Sequence, residues 1–254
     1  MSTENRSKLK QLLQSHRPGT ALLAQWLLQQ GVSRELQARY RRSGWLEAIG
    51  TGAFKLPGET VSWQGGLYAL QVQAQLPIHA GGITALDMQG YAHYLRMGEQ
   101  AVFLFSPRGT TLAAWFKNHD WQVSIRHVRT SFLPPALGLV KYDEGAFAID
   151  IAGAERAMLE CLYLAPQRFD LVECFHVMEG LANLRPRVVQ ELLAACTSVK
   201  VKRLFLYFAE RAGHVWLRYV NVQHVDLGRG TRSITPGGAY VPKYDLVVPA
   251  ELAP

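Results

Sequence analysis

The chain has 254 residues, 48% of them apolar and 19% charged, which fits one or two globular domains and excludes a disordered or collagen-like polymer. Its 27 Lys and Arg against 20 Asp and Glu give a formal net charge of +7, a balance suited to an acidic partner such as nucleic acid. The opening MSTENRSKLK has no apolar run of the signal-peptide kind, and no uninterrupted apolar stretch approaches a membrane span, so a soluble, cytoplasmic protein without membrane contact is expected.

In chain order, a first helix is predicted from residue 7 or 8 to 15, with Leu9, Leu12 and Leu13 inward, and Pro18 and Gly19 break it. Thr20 can cap a second helix over 21–30, with Leu22, Leu23, Trp26 and Leu27 inward. Residues 29–33 form a turn, and Ser33 can cap a third, basic helix. On that helix Val32, Leu36 and Tyr40 fall on one side, and Arg34, Gln37, Ala38 and Arg41 on the other. Gly44 stops it, since glycine tolerates positive φ. Residues 45–49 and 53–56 read as two short strands around a turn at 50–52. Helix, turn, basic helix and hairpin is the order of a winged helix-turn-helix, in which the basic helix enters the DNA major groove. Charge agrees: residues 1–60 hold nine Lys and Arg against four Glu, so +5 of the net +7 lies there.

After Pro57 and Gly58 the pattern becomes mixed. Helices are predicted over 61 or 62 to 73 and over 83–96, with a small loop at 79–82 and with Gly90 marking close packing inside the second helix. A strand at 101–105, a brief helix at 112–118, strands at 122–130 and 147–151, and a loop around Asp143 and Glu144 follow. Helices are expected over 153–164, 169–182, 186–196 and 198–211, then strands between 215 and 248. The fold class is therefore α+β: a winged helix-turn-helix over residues 1–60, then a larger mixed domain over 61–254, with a boundary as late as 95 also open.

Signs of catalysis are few. The chain has no phosphate-binding loop, nucleophile elbow or paired-histidine metal motif, and Cys161, Cys174 and Cys196 read as buried, reduced thiols. No enzyme activity, metal or cofactor is expected. Two basic stretches stay open. Lys200, Lys202 and Arg203 crowd a helix N-terminus, which the macrodipole disfavours. They form either a second contact to nucleic acid or an acidic partner, or a solvated first turn answered by acids such as Glu210. Arg229 and Arg232 could approach phosphates, or simply belong to a basic hairpin.

Taken together, GVSRELQARYRRSGWLEAIGTGAFKLPG, VSWQGGLYALQ, HAGGITALDMQGYAHYLR, AERAMLECLY, FHVMEGLANLRP, SVKVKRLFLYFAERAGHVWL and LGRGTRSITPGGAYVPKYDLVVP resemble the AbiEi-type antitoxins of bacterial type IV toxin–antitoxin (abortive infection) systems, over nearly the full length. The resemblance implies a winged-helix domain that represses its own operon. It implies a C-terminal domain that counters a nucleotidyltransferase-like toxin and helps assembly on DNA, whether or not the toxin is bound directly.

The DNA-facing set is then Ser33, Arg34, Gln37, Ala38, Arg39, Arg41, Arg42 and Lys55. Arg34, Gln37, Ala38 and Arg41 are expected at base edges, and Arg39, Arg42 and Lys55 at phosphates. A single winged helix covers a short site, so two copies on an inverted repeat are expected. A ligand-responsive repressor and a DNA-tethered enzyme are the alternatives. They would need, respectively, a deep apolar pocket or converging carboxylates in the C-terminal part.

Overall fold

The structure, a computed structural model, describes residues 10, 12–91 and 101–253. It is α+β, with the winged unit first.

Helical residues 12–15 (α1) lead into β1 (Leu22–Leu23), α2 (Ala24–Gln29), α3 (Arg34–Arg42), β2 (Glu47–Gly50) and β3 (Ala53–Lys55). The strands form an antiparallel sheet in the order β1-β3-β2. Leu12, Leu22, Leu27, Val32, Leu36, Tyr40, Leu46 and Phe54 make a small core of their own. Three expectations are corrected here. Leu22 and Leu23 are extended, paired with Phe54 and Ala53, so α2 starts three residues later than predicted. Thr20 caps no helix, because its hydroxyl donates to Arg17 O instead. Leu13, expected inward, is exposed, while Leu12 is buried. Residues 7–9 and 11 of the first predicted helix lie outside the described residues.

The chain then enters a second, larger core. Helix α4 (Trp63–Tyr68), capped by Ser62, runs on into a π turn, Ala69–Gln73. Strand β4 (His79–Ala80) and helix α5 (Gly82–Met88) follow. Next come β5 (Ala101–Ser106), α6 (Ala114–Asn118), β6 (Ser124–Arg129), β7 (Leu139–Asp143) and β8 (Ala148–Ala152). These strands and β4 build a mixed five-stranded sheet in the order β6-β5-β4-β8-β7. Helix α7 (Ala154–Leu164) is buried on nearly every side, and it packs on α5, α8 (Leu171–Gly180), α9 (Pro186–Ala195) and α10 (Val199–Arg211). Strands β9 (Arg232–Ser233), β10 (Ala239–Val241) and β11 (Leu246–Val248) close the chain as a small sheet.

Residues 79–80, predicted as loop, are strand because His79 and Ala80 pair with Phe105 and Leu104 on one side and Ala80 with Ile151 on the other. Gly90 is not an interior packing site. At φ 79 with no neighbour near its Cβ position, it lies just past the end of α5. Residues 92–96 lie outside the described residues. The supposed loop before residue 144 is β7, held by five pairings to β8. Residues 215–219 form a 3-10 turn rather than a strand. Trp216 is drawn inward, its Nε1 donating to Leu181 O, and i→i+3 bonds close the backbone around it.

The winged unit is seated on the larger core by hydrogen bonds and by close approaches of backbone. Gln73 accepts from Leu23 N at 2.8 Å and donates to Ala21 O at 2.7 Å. Gly65 abuts the backbone so closely that an added Cβ would lie 1.9 Å from Gly19 O. Within the winged unit itself, His16 Nε2 and Glu59 Oε2 are 2.8 Å apart. At the hairpin, a Cβ on Gly50 would come within 2.7 Å of Trp115 Cβ on α6.

Candidate nucleic-acid interface

The interface begins with the turn between α2 and α3. Gly31 takes φ 79, which lets Val32 N reach back to Leu27 O at 2.9 Å and reverses the chain. Ser33 Oγ then accepts from Leu36 N at 3.3 Å, capping α3. The Glu35 carboxyl is held below its ordinary pKa by its own backbone N–H and by the Ser33 hydroxyl, as a charge at a helix N-terminus should be. At the far end Gly44 at φ 73 turns the chain out, and Trp45 N closes on Tyr40 O at 2.8 Å.

Leu36, Gln37 and Tyr40 anchor α3 inward. Two exposed rows remain. Arg34, Ala38 and Arg41 stand at i, i+4 and i+7, and Glu35, Arg39 and Arg42 form the adjoining row. Five side chains of the DNA-facing set, Arg34, Ala38, Arg39, Arg41 and Arg42, are thus brought to one open surface, beside the exposed Ser33. Arg41 also holds its guanidinium 5.8 Å from the Phe54 ring centroid, tying the helix to the wing.

Gln37 does not join that surface. It is 4% exposed, and its Nε2 donates to Ala24 O at 3.0 Å and Val32 O at 2.9 Å, bracing α2 against the turn. Helical spacing put it at the border of the apolar side, and the approach of α2 covers that border. Lys55 is also committed in part. It lies opposite Glu47 in the hairpin register, 3.2 Å from its carboxylate, and donates to Glu59 O at 2.8 Å. Its charge is therefore partly offset before any phosphate arrives.

Two neighbours escape sequence reasoning. Trp45, read from the sequence as the start of the first hairpin strand, precedes β2 and stands exposed where α3 meets the wing. Helix α6, which carries exposed Lys117, meets the hairpin through the Gly50–Trp115 contact, across more than sixty residues of chain, and no local signal announces it.

The second basic stretch is not a surface as a group. Arg203 is 3% exposed and donates to Leu227 O, Gly228 O, Gly230 O and Asp245 O, so it organises the 227–230 loop from within. Lys202 is 5% exposed. Lys200 is half-buried, and its ammonium donates to Tyr163 O and Ala165 O at the C-terminus of α7. That placement sets the cation against the negative end of another helix, which offsets the cost of crowding its own N-terminus. Glu210 answers none of these. It accepts from Lys243 and Tyr244. Arg229 is exposed and Arg232 half-buried, the latter donating to Gly230 O at 3.2 Å.

In the larger core the buried carboxylates are structural. Glu160 accepts from His79 Nε2 and Arg156 Nε, both at 2.8 Å, and from Gly82 N at 2.9 Å. Glu155 accepts from the Arg185 backbone and guanidinium. Among the described residues no three His, Cys, Asp or Glu side chains converge as a metal site would require. Cys161, Cys174 and Cys196 are buried, and no helix among the described residues is long and apolar enough to cross a membrane.

Comparison with known proteins covers nearly the whole chain. Residues 5–97 match the family described as the AbiEi antitoxin N-terminal domain of a transcriptional regulator, and residues 99–249 match the one described as transcriptional regulator, AbiEi antitoxin, type IV TA system. No curated protein matches the chain in sequence. The crystal structure of the RV2827C protein from Mycobacterium tuberculosis is similar in fold, with a TM-score of 0.59 and 17% identity over 97% of this chain and 92% of that one.

Proposed function

Since this chain belongs to the AbiEi antitoxin family of transcriptional regulators from type IV toxin–antitoxin systems, we propose that it represses its own operon by binding an inverted repeat in its promoter, and that it counters a nucleotidyltransferase-like toxin without catalysis of its own. The observation that carries the DNA reading is the pair of exposed rows on α3, four arginines on a capped helix placed by a tight turn and flanked by a hairpin. Arg34 and Arg41 reach base edges, since an arginine fork matches guanine O6 and N7, with Ala38 between them offering a methyl to thymine. Arg39 and Arg42 hold phosphates on the flank. Lys55 adds a weaker contact from the wing, and Ser33 fixes the helix start that points at the groove.

The DNA-binding unit ends near residue 60 in this reading, because Val61, Leu67, Leu70, Ile78, Ile83 and Leu86 are buried in the larger core. The protein works in the cytoplasm on double-stranded DNA, with no metal or cofactor needed for that contact.

The test is titration of the protein against its own upstream DNA and a scrambled duplex at several salt concentrations. The expected result is tight binding to the native sequence that Arg34→Ala and Arg41→Ala each weaken by about 1–3 kcal/mol with relaxed base preference. Arg39→Ala should instead lower affinity for both duplexes and cut the salt slope by about one. Equal, salt-labile binding to both duplexes would overturn the operator reading. Co-expression with a neighbouring toxin gene tests antitoxicity separately.

A further inference from the structure

A cavity of about 540 Å³ opens between β6, the C-terminal end of α7 and the first turn of α10. Its polar lining is His127 and Arg129 from β6, Tyr163 from α7, Gln167 and Arg168 just after it, and Lys200 from α10. Among the described residues that line it there is no carboxylate. This departs from the treatment of other cations in the same domain. Arg156 is answered by Glu160, Arg185 by Glu155, and Arg203 by four carbonyls beside Asp245. Arg129 and Arg168 are exposed at the cavity and make no salt bridge within the described residues.

Convergence of permanent cations in one concavity costs electrostatic energy that an anion would relieve. Lys200 has three donors, and Tyr163 O and Ala165 O take two, which leaves one N–H for a ligand. Two guanidinium forks suit the paired oxygens of a phosphate. The volume falls within the range of small-molecule sites, about 300–1,000 Å³, and Gln167 supplies a neutral donor and acceptor beside the charges. Burial lowers the pKa of Lys200, and burial, with the charges of Arg129 and Lys117 adding to it, lowers that of His127, so positive potential reaches the imidazole.

We propose that this cavity binds a phosphorylated small molecule of nucleotide size, its phosphates held by Arg129, Arg168 and Lys200. The site is distinct from the α3 surface and does not depend on the operator reading.

The test uses the full chain at low salt. Calorimetric titration is run with ATP, GTP, CTP, UTP and inorganic pyrophosphate in turn. At least one should bind with one-to-one stoichiometry, and Arg168→Glu and Arg129→Ala should each weaken it at least about tenfold, the loss expected for one charge-assisted hydrogen bond. Both side chains are exposed, so the melting temperature should stay at the wild-type value, and Arg41→Ala should leave nucleotide affinity unchanged. No binding of any probe at low-millimolar concentration, or binding that survives both substitutions, would overturn the proposal. The same two variants are also titrated with the scrambled duplex. A loss of duplex affinity with no probe bound would assign these cations to a nucleic-acid backbone and overturn the small-ligand site.

Discussion

The amide of Gln37 joins α2 to the turn that precedes α3, with both of its N–H groups donated to backbone carbonyls. Gln37→Ala would leave Ala24 O and Val32 O short of a partner in a largely covered place, at a cost of about 1–3 kcal/mol. A lower melting temperature is expected, with operator affinity intact in the fraction that stays folded. A base-reading glutamine would give the opposite pattern, weaker binding at unchanged stability. Glu160 carries a larger share. Burial raises its pKa, but the charges and hydrogen bonds of His79 and Arg156 outweigh burial and hold it below the ordinary value of 4.5. A carboxyl whose folded pKa is depressed contributes stability above its unfolded pKa, and loses it as pH falls through the folded pKa. This part of the stability should therefore vanish on the acid side of pH 4.5, not near neutrality. Glu160→Gln removes the carboxylate beside the buried Arg156 guanidinium and should cost about 3–5 kcal/mol. Denaturant melts across pH would check both points, the variant being the less stable at pH 7 and losing this acid-dependent step.

At the scale of elements, the wing and α6 behave as one unit. The hairpin is short, its turn is tied to the start of α2 by the Ala24 N to Gly52 O bond, and its strand end lies on Trp115. A methyl at Gly50 has no room against the Trp115 backbone and Cβ, which cannot swing aside as a side-chain tip could. Gly50→Ala should cost about 1–3 kcal/mol by overpacking. It should also weaken operator binding beyond that loss of fold, because the hairpin must lift to make space. Melting curves beside operator titration measure the two effects. Unchanged operator affinity in the folded variant would mean that the hairpin's seat on α6 does not position it on DNA.

For the whole molecule, the winged unit and the larger core are held by several independent contacts, the Gln73 strap, the Gly19–Gly65 approach and the Gly50–Trp115 approach among them. Recognition on DNA should therefore move the C-terminal part with the winged unit rather than trail it on a linker. A single α3 covers only a few base pairs, so occupancy of an inverted repeat by two copies is the expected assembly. Native mass spectrometry of the complex should give two chains per duplex, and deleting one half-site should leave one chain bound with sharply reduced affinity.

The amino-acid sequence by itself determined the features that act within a few residues. Ser33 caps α3, Gly31 and Gly44 open the turns at its two ends, and Leu36 and Tyr40 at helical spacing select its buried side. These signals, together with the family motifs spread along the chain, sufficed for the winged helix, the α+β class and the family. What the tertiary structure alone decided is which polar side chains remain free. Gln37 was removed from the exposed side of α3 by the approach of α2, Arg203 from the surface by a loop more than twenty residues away, and Lys200 was turned to the end of α7. Arg129, Arg168 and Lys200 share a cavity although more than seventy residues separate the first from the last. Capping and periodicity depend on neighbours along the chain and can be read there. Burial, hydrogen-bond satisfaction and the convergence of charge depend on neighbours in space, which are defined only once the cores have packed.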